Sequence, residues 1–327
     1  MHILVITSEW PTEQHPEWAP FIVQQVQSLC RAGVHVDVVP FRGAKNLVNY
    51  LQAYRRVRRC LRHNSYDLIH AQFGQSGLLA LPKLLPLVVT FRGSDLEGII
   101  GAKGQYTYRG YILRYLSKWI AFLADEIIVV SESLAKYLPQ QLPYHVIPGG
   151  VDFNLFKPSS KEKARKVLKL PQDQSLILFG GRPEIPRKRY TLARQAVDQL
   201  ASWYHADLVV LQNIPHHVVP IYMNACDVLL LTSLHEGSPN MVKEALACNL
   251  PVVSVNVGDV QARLAGVPGC IVCHDDCPHT IAAGLTEVLN QKVSFNGRDF
   301  IKELDEDIVT NRVIRVYRHI MQQHRSS

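Results

Sequence analysis

Short apolar runs rich in Val, Ile and Leu alternate along the chain with longer segments whose apolar residues recur at helical spacing. The runs predict strands near residues 2–7, 34–40, 67–71, 87–91, 126–131 and 144–148, the pattern of a parallel sheet covered by helices. A second series lies near 175–180, 207–212, 227–232, 251–255 and 270–273. It follows a polar stretch containing Pro158, Ser159 and Ser160, which puts the domain boundary close to Pro158, with domains at 1–158 and 159–327. No repeat with a period of about 20–50 residues and no low-complexity tract is present, which sets aside solenoids and propellers. An α/β architecture of two doubly wound, Rossmann-like domains remains. Ligands then bind outside the carboxyl ends of the strands, where βα loops of both domains face one cleft.

The length of 327 residues agrees with two domains of about 150 residues each. With 47% hydrophobic and 19% charged residues, the chain reads as neither disordered nor collagen-like nor a disulfide scaffold. The net charge of +7 favours a phosphorylated ligand or an anionic membrane surface and is too small to imply nucleic acid. The most apolar stretch, Gly77 to Phe91, is broken by Pro82, Lys83 and Pro86, so no transmembrane helix is expected. MHILVIT reads as a buried strand rather than a signal peptide, which predicts a cytoplasmic protein. The seven cysteines suit a reducing compartment, and no disulfide is expected.

The most informative segment is HEGSPNMVKEALACNLPVVSVNVGDV, residues 235–260, after the apolar strand running from Asp227 to Thr232. Gly237, Ser238, Pro239 and Asn240 form a turn, and Met241 to Cys248 has helical character. Glu236 therefore stands before the helix and Glu244 about one turn inside it. Free N–H groups at such a helix start, around Ser238, Pro239, Asn240, Met241 and Val242, can hold phosphate oxygens. An ionised carboxylate only accepts hydrogen bonds, so Glu244 suits the two hydroxyls of a ribose. Glu236 lies closer to the reacting group. The bland reading makes Ser238 and Asn240 helix caps and both glutamates solvent-facing.

This segment resembles the family-four retaining glycosyltransferases of GT-B architecture, also described as glycosyl transferases group 1, whose donor domains carry E-x7-E after an aspartate-headed strand. The resemblance extends in order through YDLIHAQ (66–72), VVTFRGSD (88–95), ADEIIVVSESL (124–134), VIPGGVDFNLF (146–156) and FGGRPEIPRKR (179–189). It implies that Arg182 and Lys188, after Gly180-Gly181, grip a nucleotide diphosphate. Fixed cations there would stabilise the charge that develops as the leaving group departs, and no metal ligand set is required. The alternative for Arg182, Arg187, Lys188 and Arg189 is a solvated basic loop.

The family often has a histidine where this chain has Arg92. Arg92 would instead hold a donor phosphate or an anionic acceptor group, and Asp95 would bind acceptor hydroxyls or cap a helix. Trp10 and Trp18, in a loop with Ala19-Pro20 in place of the usual glycines, either stack on sugar or lipid or pack the loop down. The segment from Gly181 to Glu236 is short, and the family usually fits an extra strand–helix unit there. Gly149-Gly150-Val151-Asp152 is similar to the family's interdomain hinge. The apolar spacing from Ile308 to Met321 predicts a helix, which the resemblance implies returns to the N-terminal domain.

Two further signals stand apart. Cys270-Ile-Val-Cys273-His274, with Cys277 and His279, spells a haem or zinc pattern, but no second C-x-x-C accompanies it and Ile271-Val272 fits a buried strand end. The run Tyr54 to Arg62 puts Tyr50, Tyr54, Val57 and Leu61 on one helical face with arginines around it, either an anionic-membrane contact or an ordinary core face. The expected function is metal-independent, retaining hexosyl transfer from a nucleotide-diphosphate sugar to a glycan or lipid-linked acceptor in surface polysaccharide or glycolipid assembly. Glu236, Arg182, Lys188 and Arg92 are the candidate catalytic residues. Gly181, Ser238, Pro239, Asn240, Met241, Val242 and Glu244 are the candidate donor ligands, and Trp10, Trp18 and Asp95 the acceptor ligands. No cofactor beyond the co-substrate and no metal is implied. The alternatives are a catalytically degenerate nucleotide-sugar-binding scaffold and a hydrolase or epimerase of nucleotide sugars.

Overall fold

A computed structural model describes residues 1–13, 15, 18–43, 46–101, 105–200, 204–291 and 295–326. They form two compact units, the first containing residues 1–100, 105–150 and the C-terminal helix Glu306–Ser326, the second residues 151–305.

The first unit is built on six parallel strands: β1 (His2–Thr7), β2 (His35–Pro40), β3 (Leu68–Gln72), β4 (Leu87–Phe91), β5 (Glu126–Val129) and β6 (His145–Val146), in the order β2-β1-β3-β4-β5-β6. Every residue of β3, β4 and β5 is buried, because helices cover both faces and leave no polar side to alternate with. Successive side chains point to opposite faces. Leu4, Ile6, Ile69 and Val89 therefore meet the helices Leu47–His63 and Tyr108–Leu123, whereas Ile3, Val5, Leu68, Val88 and Ile128 meet the helices Pro20–Arg31 and Glu306–Ser326. The C-terminal helix contributes Val309, Val313, Ile314, Val316, Tyr317 and Ile320 to that second face. Burial of an aliphatic side chain stabilises by about 1.5–3 kcal/mol, so this helix holds the first unit's sheet as firmly as any nearer in sequence.

The second unit has five parallel strands, β7 (Ser175–Phe179), β8 (Ala206–Val210), β9 (Val228–Leu231), β10 (Val252–Val255) and β11 (Ile271–Cys273), in the order β11-β10-β9-β7-β8. Between Gly181 and Glu236 the described residues form β8, β9 and the helical segments Pro186–Lys188, Tyr190–Leu200, His216–Val218 and Val219–Ala225. Chain progression reverses between β1 and β3 in the first sheet and between β7 and β9 in the second. Each reversal opens a crevice at the carboxyl ends of the two strands.

The first unit ends at Gly150 rather than at Pro158. The physical reason lies in the intervening residues. The Val151 amide donates to the Leu304 carbonyl at 2.9 Å, and Phe156 is wholly buried in the second unit's core. The polar residues after Pro158 only start a helix, with Ser160 Oγ accepting from Lys163 N at 3.3 Å ahead of Lys161–Leu168.

Candidate active site

The second unit's crevice forms where β7 ends in Gly180-Gly181 and β9 runs into the turn before the helix Asn240–Ala247. A Cβ on Gly180 would stand 2.6 Å from Met241 Cε and would displace that side chain, so glycine here lets Met241 lie against the strand end. Gly258 is constrained more tightly. Its φ is +58°, and a Cβ there would meet the Glu236 carbonyl oxygen at 2.6 Å. The Val257-Gly258-Asp259 loop thereby seats the peptide that carries Glu236.

Lys188 Nζ donates to Glu236 Oε1 at 2.6 Å, and Arg187 reaches the same oxygen at 3.3 Å. The loop is fixed from below: Leu234 N donates to the Arg187 carbonyl at 2.8 Å, and Thr232 Oγ1 to the Lys188 carbonyl at 2.9 Å. Burial alone would raise the Glu236 pKa, but the Lys188 and Arg187 charges and the Lys188 hydrogen bond outweigh it and hold the carboxyl below its ordinary value. Arg182 follows Gly181 and makes no side-chain hydrogen bond or ion pair among the described residues. Two cations thus meet one carboxylate at the mouth of the crevice, and Arg182 on the same loop adds a third positive charge, an excess suited to an anionic ligand.

The helix Asn240–Ala247 begins after Pro239 without a side-chain cap. The Val242 N–H donates back to the Pro239 carbonyl at 3.2 Å, whereas the Asn240 and Met241 N–H groups ahead of it have no intrahelical partner and point with the helix dipole out of the N-terminus. Ser238 does not point there; its hydroxyl donates to Asp259 Oδ2 at 2.8 Å. Glu244 is buried, and its Oε1 lies 2.9 Å from His216 Nε2. His216 packs against Phe156 with ring centroids 5.2 Å apart. One oxygen of the carboxylate expected to take both ribose hydroxyls is therefore engaged by a histidine that the motif did not reveal.

In the first unit, Arg92 follows β4. Its Nε and one terminal nitrogen donate to Gln72 Oε1 at 2.9 and 2.7 Å, and the same nitrogen reaches Gln25 Oε1 at 2.9 Å. The guanidinium stands 4.9 Å from the centre of the Phe21 ring. Its hydrogen-bond partners are neutral amide oxygens. Burial lowers its pKa to about 10 while Asp95, Glu9 and Tyr317 oppose the shift, so the group stays cationic at neutral pH. Beside it His70 is enclosed between Tyr317 Oη at 2.6 Å and Thr90 Oγ1 at 2.7 Å. Burial and then the Arg92 charge press its pKa to about 3, so the ring is neutral.

Asp95 is turned away from any acceptor. Its carboxylate takes the backbone N–H groups of Gly93, Gly74 and Arg92 at 2.8, 3.1 and 3.1 Å and is almost wholly buried. Burial raises its pKa and these amides oppose the rise. The residue ties the loop after β3 to the loop after β4, positioning Arg92. Trp10 packs with Phe21, Ile22 and Phe73 in a small apolar cluster. Trp18 is stacked on His15 at 4.1 Å, and the Arg42 guanidinium stands 3.8 Å from its ring centre. Both tryptophans make packing contacts within the first loop, and both stay partly exposed.

Cys270 and Cys273 are strand-end residues. Cys270 Sγ accepts from Val252 N at 3.3 Å, and burial pushes both thiols up to about 11. Among the described residues no group of three or more His, Cys, Asp and Glu side chains is arranged to hold a metal, and no helix is long and apolar enough to cross a membrane.

Comparison with known proteins agrees with this geometry. Residues 1–155 match the model of Glycosyltransferase Family 4, and residues 161–291 that of Glycosyl transferases group 1. The chain is 25% identical over 329 residues to the putative teichuronic acid biosynthesis glycosyltransferase TuaC of Bacillus subtilis, covering 80% of this chain and 82% of that protein. It is 29% identical over 278 residues to the D-inositol 3-phosphate glycosyltransferase of Mycolicibacterium smegmatis, covering 69% and 60%. Among solved structures, sucrose-phosphate synthase of Thermosynechococcus elongatus superposes with a TM-score of 0.80 at 18% identity over 100% of both chains. Anabaena HepE in complex with UDP-glucose gives 0.72 at 16% identity over 97% and 99%. With one family model on each half and GT-B structures superposing along its length, the chain belongs to the family-four, group 1 glycosyltransferases.

Proposed function

We propose that the chain is a metal-independent, retaining hexosyltransferase. Its second unit holds a nucleotide-diphosphate sugar and its first unit meets a glycan or lipid-linked acceptor. The observation that carries this reading is the excess of cations after β7, with Lys188 and Arg187 on Glu236 and Arg182 on the same loop. The diphosphate lies across these cations and the uncapped N-terminus at Pro239 to Val242, and Glu244 Oε2 takes a ribose hydroxyl while His216 holds Oε1. As the bond from anomeric carbon to diphosphate oxygen breaks, negative charge grows on that oxygen, and preplaced cations stabilise it more than in the ground state. The acceptor oxygen attacks on the same face, and its proton passes to the departing phosphate oxygen. Lys188 and Arg187, held in place, together with Arg182 supply the neutralisation that a divalent ion supplies elsewhere.

Arg92, cationic and bonded only to amide oxygens, holds an anionic group of donor or acceptor. HepE with UDP-glucose supports a nucleotide-sugar donor, and TuaC supports a place in surface polysaccharide assembly. An acceptor of that kind puts the reaction at the cytoplasmic face of an anionic membrane.

Calorimetric titration with UDP-, GDP-, ADP- and dTDP-sugars, with Glu244→Ala and Arg182→Ala as controls, tests the reading. Selective binding lost in both variants, turnover unaffected by EDTA and a product of unchanged anomeric configuration are expected. Binding without turnover in an acceptor screen would indicate a degenerate scaffold, and free sugar released without acceptor a hydrolase.

A further inference from the structure

The helix Tyr108–Leu123 buries Gly110, Ser117, Ile120 and Ala121 on the first unit's core. Its opposite side carries Tyr108, Tyr111, Ile112, Tyr115, Trp119 and Phe122, all exposed and three or four residues apart, with Tyr108 at 80% and Tyr115 at 75%. Such a spacing is one continuous stripe of a helix, and a soluble surface does not gather that much aromatic area without an occupant. The helix Leu47–His63 covers the same face of the sheet. Its sequence-level stripe of Tyr50, Tyr54 and Leu61 packs on the core, with Val57 fully buried. Its exposed residues include Leu47, Val48, Leu51, Arg55, Arg56, Arg59 and Arg62. The segment from Gly74 to Ala80 lies between the two helices. A Cβ on Gly77 would meet Ile120 Cγ2 at 2.5 Å, and Arg58 donates to the carbonyl of Leu81.

We propose that this outer face, with the aromatic stripe of Tyr108–Leu123 at its centre and Arg55, Arg59 and Arg62 beside it, docks on an anionic lipid bilayer. The inference deepens the proposed function by naming how a lipid-linked acceptor is met, and it rests on that reading only for the acceptor's class. Charge and composition select the occupant. Neither helix contains an aspartate or glutamate, whereas together they carry Arg55, Arg56, Arg58, Arg59, Arg62, Arg109, Arg114 and Lys118. Tyrosine and tryptophan, apolar in body and polar at the tip, settle at headgroup depth, and arginines around them meet lipid phosphates. A second copy placed on the same face would oppose arginines with arginines.

The test uses the full chain and sedimentation with vesicles of phosphatidylcholine, with and without about a third phosphatidylglycerol. Binding to the anionic vesicles that weakens with salt is expected, with a blue shift of Trp119 emission. Tyr115→Ser/Trp119→Ser and Arg55→Glu/Arg59→Glu should each weaken binding about tenfold or more. Both retain the wild-type melting curve and nucleotide-sugar titration, so failure here is distinguishable from failure of the donor assignment. Vesicle binding unchanged in both variants would overturn the proposal. So would a wild-type chain that ignores vesicles but sediments as a dimer that Tyr115→Ser/Trp119→Ser dissociates, since the stripe would then join two copies.

Discussion

The ion pair between Lys188 and Glu236 offers the most direct perturbation. At 2.6 Å, with side chains 15% and 13% exposed, it is screened far less than a surface pair. Removing one partner of a buried pair costs about 3–5 kcal/mol because the other charge stays desolvated. Arg187 remains 3.3 Å from the same oxygen in Lys188→Met, so the expected loss for the second unit is smaller, about 2–3 kcal/mol. Glu236→Gln added to that variant removes the stranded charge and should recover about 1–2 kcal/mol in a denaturant double-mutant cycle. The pH dependence follows from the direction of the shift. A carboxyl whose folded pKa is depressed contributes stability above its unfolded value, about 4.3, and loses it as pH falls through the folded value. In Lys188→Met burial dominates, the pKa rises, and acid unfolding begins at higher pH. If Lys188 also steadies the departing diphosphate, kcat falls about 100- to 1000-fold in the same variant. A coupling energy under about 0.5 kcal/mol, with an unmoved acid limb, would refute the reasoning.

Asp95→Asn should destabilise the first unit by about 2–4 kcal/mol, because an amide cannot replace a carboxylate taking three backbone N–H groups; thermal melting measures this, and nucleotide-sugar affinity should be untouched. Gly258→Ala should weaken donor binding and lower stability by at least about 1 kcal/mol, since a Cβ at positive φ would strike the Glu236 carbonyl; calorimetry and melting together check it. His216→Ala should weaken donor binding less than Glu244→Ala does, since it removes the holder and leaves the carboxylate; equal losses would make His216 a direct ligand.

Most of the strand framework was legible because a parallel strand buried on both faces reads as a largely apolar run, unbroken in β9 and interrupted only by Thr90 in β4. The helix Asn240–Ala247 was found within a residue because the turn before it has its own chemistry. Pairings across loops were not legible. His216 and Glu244 are far apart in sequence, and nothing local in Ile214-Pro215-His216 says that the ring faces a buried carboxylate; a histidine just past a strand end was the one available hint. Arg187 looked like one more charge in a basic run, and only the fold of the turn sets it on Glu236. Asp95 had the right chemistry for an acceptor, but its carboxylate is taken by the backbone amides of Gly74, Arg92 and Gly93. The stripe on Leu47–His63 was correctly seen as apolar, yet periodicity does not say whether a face meets sheet or solvent.

The placement of the helix Glu306–Ser326 in the first unit affects how the protein is made. Residues 151–305 form an uninterrupted stretch and can collapse as soon as they leave the ribosome. The first unit, although begun earlier, lacks Val313, Tyr317 and Ile320 until the whole second unit has been made. Through that interval Ile3, Val5, Leu68 and Val88 have one helix rather than two to cover them, and His70 lacks the Tyr317 hydroxyl. The first unit can therefore be completed only after the second has been translated, and until then its sheet carries an apolar face that is covered on one side only in part.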